Sequence, residues 1–367
     1  MSINFVGNSS GGARTARRRG PITTALFAVL VLFALVASAC GSSSSSGAAE
    51  SGPTETAPQV TLPESVPAGV TLRVGDQVDF LKTLLALSGQ DQNFPYKVEY
   101  GSFLGGPAML QAFQAGEIDT GFVADAPLIF AQAAGQDITG VTAWAPGQST
   151  LSLVTAPGVT EVNGWGDLKG KTVIIQEGTV SQSTLLTGLA SAGLTYSDVK
   201  IQNLTLTQVA QALPGSGADA AVLTEPFTTS YLASNPTAKV AARGEDVTDR
   251  VQFLIAAGKA LKDDGKTAAL ADYISRIVKG WEWVNANPEA WAQKIYVETY
   301  KLPIDKGLEL VKAGGGVKVL QLPGDLIEPQ QALADRFYDA KVIPKKIDAA
   351  TEFDSRFNSV VTKAQGQ

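Results

Sequence analysis

The 367-residue chain contains no histidine. Every mechanism that needs an imidazole as base, proton relay or metal ligand is thereby excluded, from Ser/His/Asp triads to His-bound zinc. Cysteine is almost as scarce: Cys40 is the only one, so no disulfide can form within one molecule. Basic residues are in the minority, 29 against 35 acidic, and four of them lie in the first 19 residues; without those four the net charge is −10. No basic face is left to neutralise phosphates, which sets nucleic acid aside as a partner. Two carboxylates could still work as an acid/base pair, but no spacing singles a pair out. The composition therefore favours binding over catalysis, and no cofactor or metal is expected.

The N-terminus carries the four arginines Arg14, Arg17, Arg18 and Arg19, then an uncharged apolar run from Ile22 to Ala39, then Cys40 followed by Gly41 and five serines. A basic segment, an apolar segment and a processing site in this order read as a signal peptide over residues 1–39. Ala37-Ser38-Ala39-Cys40 resembles the lipobox of bacterial lipoproteins, with Ala in place of the usual Leu. The resemblance implies lipidation of Cys40. The alternative is an uncleaved membrane anchor, since 18 such residues approach the length of a span. Both readings keep the arginines on the cytoplasmic side and put the rest of the chain outside the membrane. Residues 40–67 are rich in Ser, Gly, Ala, Pro, Thr and Glu, a composition that cannot bury enough surface to fold and reads as a disordered tether. The remainder, about 300 residues, exceeds the size at which one hydrophobic core stops growing and predicts two lobes.

From Val70 onward, short β-branched runs alternate with helical stretches that end in glycine, the pattern of parallel βαβ units. Strands are expected at Val70–Val74, Val98–Tyr100, Ile118–Val123, near Val141 and at Leu151–Thr155, the last closing the first half. Pro157, Gly158, Gly164 and Gly166 crowd a connection that reads as a crossing between lobes. The pattern restarts with strands at Lys171–Ile175, Val199–Asn203 and Asp219–Leu223, and a second crossing is placed near Asp249 before Val251–Ile255. From Ala268 the chain is mainly helical. Trp281, Trp283 and Trp291 could stack on a ligand, but packing in a core is preferred because aromatics dominate buried area.

Several motifs then point to a family. Ala112-Phe113-Gln114-Ala115-Gly116-Glu117-Ile118-Asp119-Thr120-Gly121, with Ala124-Asp125-Ala126-Pro127 after it, resembles a stretch of the periplasmic binding proteins for aliphatic sulfonates, taurine, nitrate and thiamine precursors. Phe130-Ala131-Gln132-Ala133-Ala134-Gly135 is similar to the aliphatic sulfonate branch. Asp167-Leu168-Lys169-Gly170-Lys171, Glu177-Gly178-Thr179, Asp219-Ala220-Ala221 and Glu225-Pro226-Phe227 are similar to elements of that family's second lobe. Two positions depart from the pattern: Thr224 stands where relatives usually carry Trp, and Ala124 replaces a glycine. The resemblance implies an α/β type II fold of two lobes, each a doubly wound mixed sheet, with C-terminal helices. Lobe one would take residues 68–156 and 250–367, and lobe two 157–249. It also implies a monomeric binding component of an ABC importer, working with a permease and an ATPase.

In open α/β sheets a ligand sits beyond the carboxyl ends of the strands, where loops lead into helix N-termini. Candidate ligand contacts are accordingly Gln77 in the loop after the first strand; Ser102, Gly105 and Gly106 after the second; Ala124 and Asp125 after the third; Gly178, Thr179 and Ser181; and Thr224 with Glu225. Backbone N–H groups and hydroxyls in such loops can hold a sulfonate without arginine, helped by helix dipoles. For each loop the alternative is ordinary helix capping by Ser, Thr and Asp. The same loops hold Asp76, Asp79, Asp125, Glu177 and Glu225 against one base, Lys82, a balance that would repel a bare anion unless the carboxylates are structural. A small organic anion or zwitterion is expected as the solute, an aliphatic sulfonate first, the alternatives being taurine, nitrate or an aminopyrimidine thiamine precursor on the same fold, or a surface or sensor lipoprotein that takes no part in transport.

Overall fold

The computed structural model describes residues 62–146, 150–244, 247 and 251–366. The signal segment, Cys40 and the tether as far as residue 61 lie outside the described residues, as does Asp249. Within that range two mixed β-sheets are flanked by helices. The first half begins with β1 (Thr71–Asp76), α1 (Phe80–Leu87), β2 (Lys97–Ser102), α2 (Gly106–Gln114), β3 (Thr120–Ala124), α3 (Asp125–Ala133) and β4 (Ile138–Ala145). The second holds β5 (Leu151–Thr155), β6 (Thr172–Ile175), α4 (Val180–Ser191), β7 (Lys200–Asn203), α5 (Leu206–Ala212), β8 (Ala220–Thr224), α6 (Phe227–Ser234) and β9 (Val240–Arg243). The chain then returns through β10 (Gln252–Ala257), α7 (Gly258–Leu261), α8 (Asp264–Ala286), α9 (Pro288–Trp291), a π-helical turn over Ala292–Thr299, α10 (Ile304–Lys312), β11 (Lys318–Leu320), α11 (Ile327–Asp339) and α12 (Asn358–Ala364). No described helix is long and apolar enough to cross a membrane.

Strand order is β11-β4-β10-β3-β1-β2 in the first sheet and β7-β6-β8-β5-β9 in the second. The chain therefore changes sheets twice, between β4 and β5 and between β9 and β10. Side chains alternate between two buried faces, as a sheet covered on both sides requires. In the first sheet Phe122 and Leu254 join the core under α1 and α8, whereas Val123, Phe253 and Ile255 join Met109, Phe113 and Leu128 of α2 and α3. In the second, Leu153, Val173 and Val222 pack under α4, and Val154, Ile174 and Ala221 pack toward α5 and α6.

Three sequence expectations need correction. β5 does not close the first half; it pairs antiparallel with β8 and β9 in the second sheet. The crossing is thus earlier than Pro157, and the Gly/Pro-rich stretch after β5 folds onto the second half, where Val162, Trp165 and Leu168 are buried. Glycines and prolines mark turns without specifying which sheet the flanking strands join. Residues 62–67 are not pure tether either, since Leu62 and Val66 pack against the first core. Last, α11 belongs to neither half alone: Leu333, Ala334 and Phe337 share an apolar cluster with Ala126, Ile129 and Ala133 of α3 and Leu186 of α4.

Candidate functional site

Parallel pairing sets the strand-end loops side by side. Asp76 is in register with Ser102, and Val74 with Thr120, so β1, β2 and β3 end on one edge of the first sheet. In the second sheet Val173 pairs with Ala220 and Ile174 with Ala221. β6 and β8 thus end on one edge of the second sheet, with Glu177 and Gly178 in the loop after β6, and Thr224 and Glu225 where β8 ends.

The two edges meet at glycines. A Cβ built on Gly106 would lie 2.2 Å from Pro127 Cγ and 3.7 Å from the Gly178 carbonyl oxygen. Gly178, at φ 73°, would in turn place a Cβ 3.4 Å from Pro107 Cγ. Only residues without side chains let α2, α3 and the loop before α4 approach this closely. A polar contact joins the halves beside them: the buried Ser183 hydroxyl lies 3.1 Å from Asp125 Oδ1. Gly105, Gly106, Asp125, Gly178 and Thr179 are thus brought together across the two sheets. Thr224 ends β8 and Glu225 follows it, on the same edge of the second sheet as Gly178.

Most carboxylates here hold backbone. Asp76, fully buried, accepts from the N–H groups of Gln77, Leu81 and Lys82 at 2.8–3.0 Å and so anchors the start of α1. Burial pushes its carboxyl above its ordinary value, against the pull of those three N–H groups. Asp125 accepts from the Ala126 N–H at 2.6 Å. Glu177 accepts from Asn203 Nδ2 at 3.0 Å, and Glu225 from the Thr229 N–H at 3.1 Å. Asp79 is the exposed exception.

The hydroxyls and amides are also largely engaged. Thr179 caps α4 by accepting from the Ser181 N–H and donates to the Gln176 carbonyl at 2.7 Å. The Ser181 hydroxyl accepts from the Gln176 N–H. Thr224 Oγ1 is 2.8 Å from Thr150 Oγ1. The Gly178 N–H donates to Gln182 Oε1 at 2.8 Å, and the Gln77 amide donates to the Phe122 carbonyl at 2.8 Å. What stands open is the start of α2. No side chain caps it, its N-cap Gly105 has φ 84°, and the Gly106 N–H has no partner among the described residues. An uncapped helix start presents N–H groups and the positive end of the dipole, a setting for an anion.

Sequence reading missed the support beneath this point. Gln330 of α11 donates to the Asp125 carbonyl at 3.2 Å. Glu352 is 1% exposed, and burial, helped by the charge of Asp125, pushes it up to about 8 against the opposing pull of the neighbouring Gln330 amide. Neither residue carries a local motif, and both come from the distant C-terminal segment, so no spacing could have flagged them. Trp281 and Trp291 lie in the core with Phe80 and Trp144. A cavity of about 410 Å³ opens between α8 and β11, lined by Trp281, Asn285, Lys318 and neighbours, and none of the strand-end loop residues lines it.

Known proteins share this architecture. A protein of Escherichia coli (strain K12) named for the binding of aliphatic sulfonates is 27% identical over 283 residues, which covers 76% of this chain and 86% of the relative. The alkanesulfonate-binding protein SsuA from Xanthomonas axonopodis pv. citri, bound to MOPS, superposes with a TM-score of 0.66 at 26% identity, over 79% of this chain and 99% of its own. The periplasmic aliphatic sulphonate binding protein SsuA from Escherichia coli gives 0.65 at 26% identity, over 77% and 92%. The NMT1/THI5-like family matches residues 98–291, from β2 to the end of α9. With more than half of its length inside that match, the chain belongs to the NMT1/THI5-like family.

Proposed function

We propose that this chain is the extracytoplasmic substrate-binding component of an ABC importer and that it captures an aliphatic sulfonate between its two halves. The observation that carries the reading is the uncapped start of α2 at Gly105–Gly106, set against Gly178 of the other half. One oxyanion there would take N–H donors from the start of α2 and the exposed Ser102 hydroxyl, while Gly178, Thr179 and Ser181, whose donors are held by Gln182 and Gln176, would shape the opposite wall. Because Asp76, Asp125, Glu177 and Glu225 are committed to backbone or Asn partners, their role is to fix the loops. Gln77, Ala124 and Thr224 would complete the wall. The binding proteins named above, two of them solved structures at 26% identity, support the ligand class.

Each half acts as a lobe, one built on residues 62–145 and 252–366, the other on 151–243. Contacts from both lobes to one solute favour the closed form, and differential affinity for that form is the free-energy source of closure. The permease would read the closed state. The chain performs no chemistry on its solute, works as a monomer, and is held on the outer face of the cytoplasmic membrane by lipid on Cys40. Isothermal titration of the purified full-length chain with butanesulfonate, taurine, nitrate and an aminopyrimidine tests the ligand class. One-site heat with butanesulfonate is expected; silence with every sulfonate removes the claim.

A further inference from the structure

Four large apolar side chains stand exposed among the described residues. Ile304 and Tyr338 belong to α10 and α11, but Val78 at 49% and Leu104 at 47% lie in adjacent loops of the candidate site. Asp76 pairs with Ser102, and the Phe103 N–H donates to the Asp76 carbonyl at 2.8 Å, so the ladder runs one residue past the strands. Val78 and Leu104 each follow that register pair by two residues. Leu104 also directly precedes Gly105 and the open start of α2.

Val78 is placed there at a cost. It has φ 55°, and so does Asp79. The left-handed region is poorly tolerated by a β-branched residue, and glycine or asparagine would relieve the turn. The turn is imposed by its surroundings, through the Asp76 carboxylate that collects three N–H groups and the Gln77 amide on the Phe122 carbonyl. An apolar side chain kept in a strained turn and left half in water adds little to folding, and such outliers gather where a ligand is clamped.

We infer that Val78 and Leu104 form an apolar lip that receives the hydrocarbon part of the solute. The preferred ligand is then a sulfonate bearing an alkyl or aryl group of several carbons, rather than taurine or a small inorganic anion. This rests on the sulfonate reading above and deepens it.

Titration of the full-length chain with ethane-, butane-, hexane- and octanesulfonate tests the lip. Affinity should rise about two- to fourfold per added methylene until the lip is covered, following the gain from removing a CH₂ group from water. Val78→Asn and Leu104→Gln alter exposed side chains, and the first relaxes the turn, so both should fold. Each should flatten the rise with chain length while leaving ethanesulfonate affinity within about twofold, the span expected when only tail contacts change. A wild-type chain that binds all four equally, or variants that keep the full rise, would overturn the lip and leave the sulfonate reading standing. No binding of any sulfonate would overturn both.

Discussion

Glu352 shows how a single side chain reports on the junction of the halves. An unfolded chain gives up this proton near the ordinary value of 4.5, whereas the folded protein holds it to about 8 because of burial and the nearby Asp125 charge. Between those values the folded state binds the extra proton, so stability is fully present below about pH 4.5 and falls as pH rises to about 8. Glu352→Gln keeps the shape and removes the titration. It should be more stable than wild type by about 2–4 kcal/mol at pH 7, with a flatter profile between pH 5 and 8, in urea unfolding followed across that range. Parallel profiles for the two proteins would contradict the assignment. Asp119 behaves oppositely. Burial alone would raise it, but hydrogen bonds from Arg73 and Lys266 outweigh that and hold it below its ordinary 3.8. Its contribution is present at neutral pH and is lost as pH falls through the acid range below that value.

At the scale of elements, the approach of α2, α3 and the loop before α4 depends on Gly106. Gly106→Ala would put a methyl 2.2 Å from Pro127 Cγ and 2.8 Å from its Cβ, ring atoms that cannot swing aside. The expected cost is about 1–3 kcal/mol of stability, the usual range for overpacking, with a sulfonate affinity at least about tenfold weaker because α2 is pushed off α3 at its uncapped start. Calorimetric melting and titration of the variant check both, and unchanged values would contradict the geometry. How legible these elements were in the sequence follows from their chemistry. β1, β6 and β8 announce themselves through β-branched and apolar runs, and α2 through Pro107 near its start and Gly116 past its end. β9 and β11 are four and three residues long and carry Arg243 and Lys318, too short for any period to show. β5 was found with its bounds correct but given to the wrong half, because pairing with β8 and β9 is a tertiary fact. The loops of the candidate site were visible as strand ends; the uncapped state of α2 and the engagement of Asp125 with Ser183 were not.

For the whole molecule, the chain passes between the two sheets only twice, β4 to β5 and β9 to β10. α11 adds a strap, since its Leu333, Ala334 and Phe337 pack with α3 of one half and α4 of the other. The proposed closure on a solute would act through the loops that lie close at Gly106, Pro107 and Gly178. The most direct measurement is a crystal structure of the full chain grown with butanesulfonate. Density is expected for the sulfonate oxygens at the N–H groups of Gly105 and Gly106, with the butyl chain against Val78 and Leu104. A sulfonate bound instead in the cavity between α8 and β11, or a site between the halves that stays empty at saturating ligand, would contradict it.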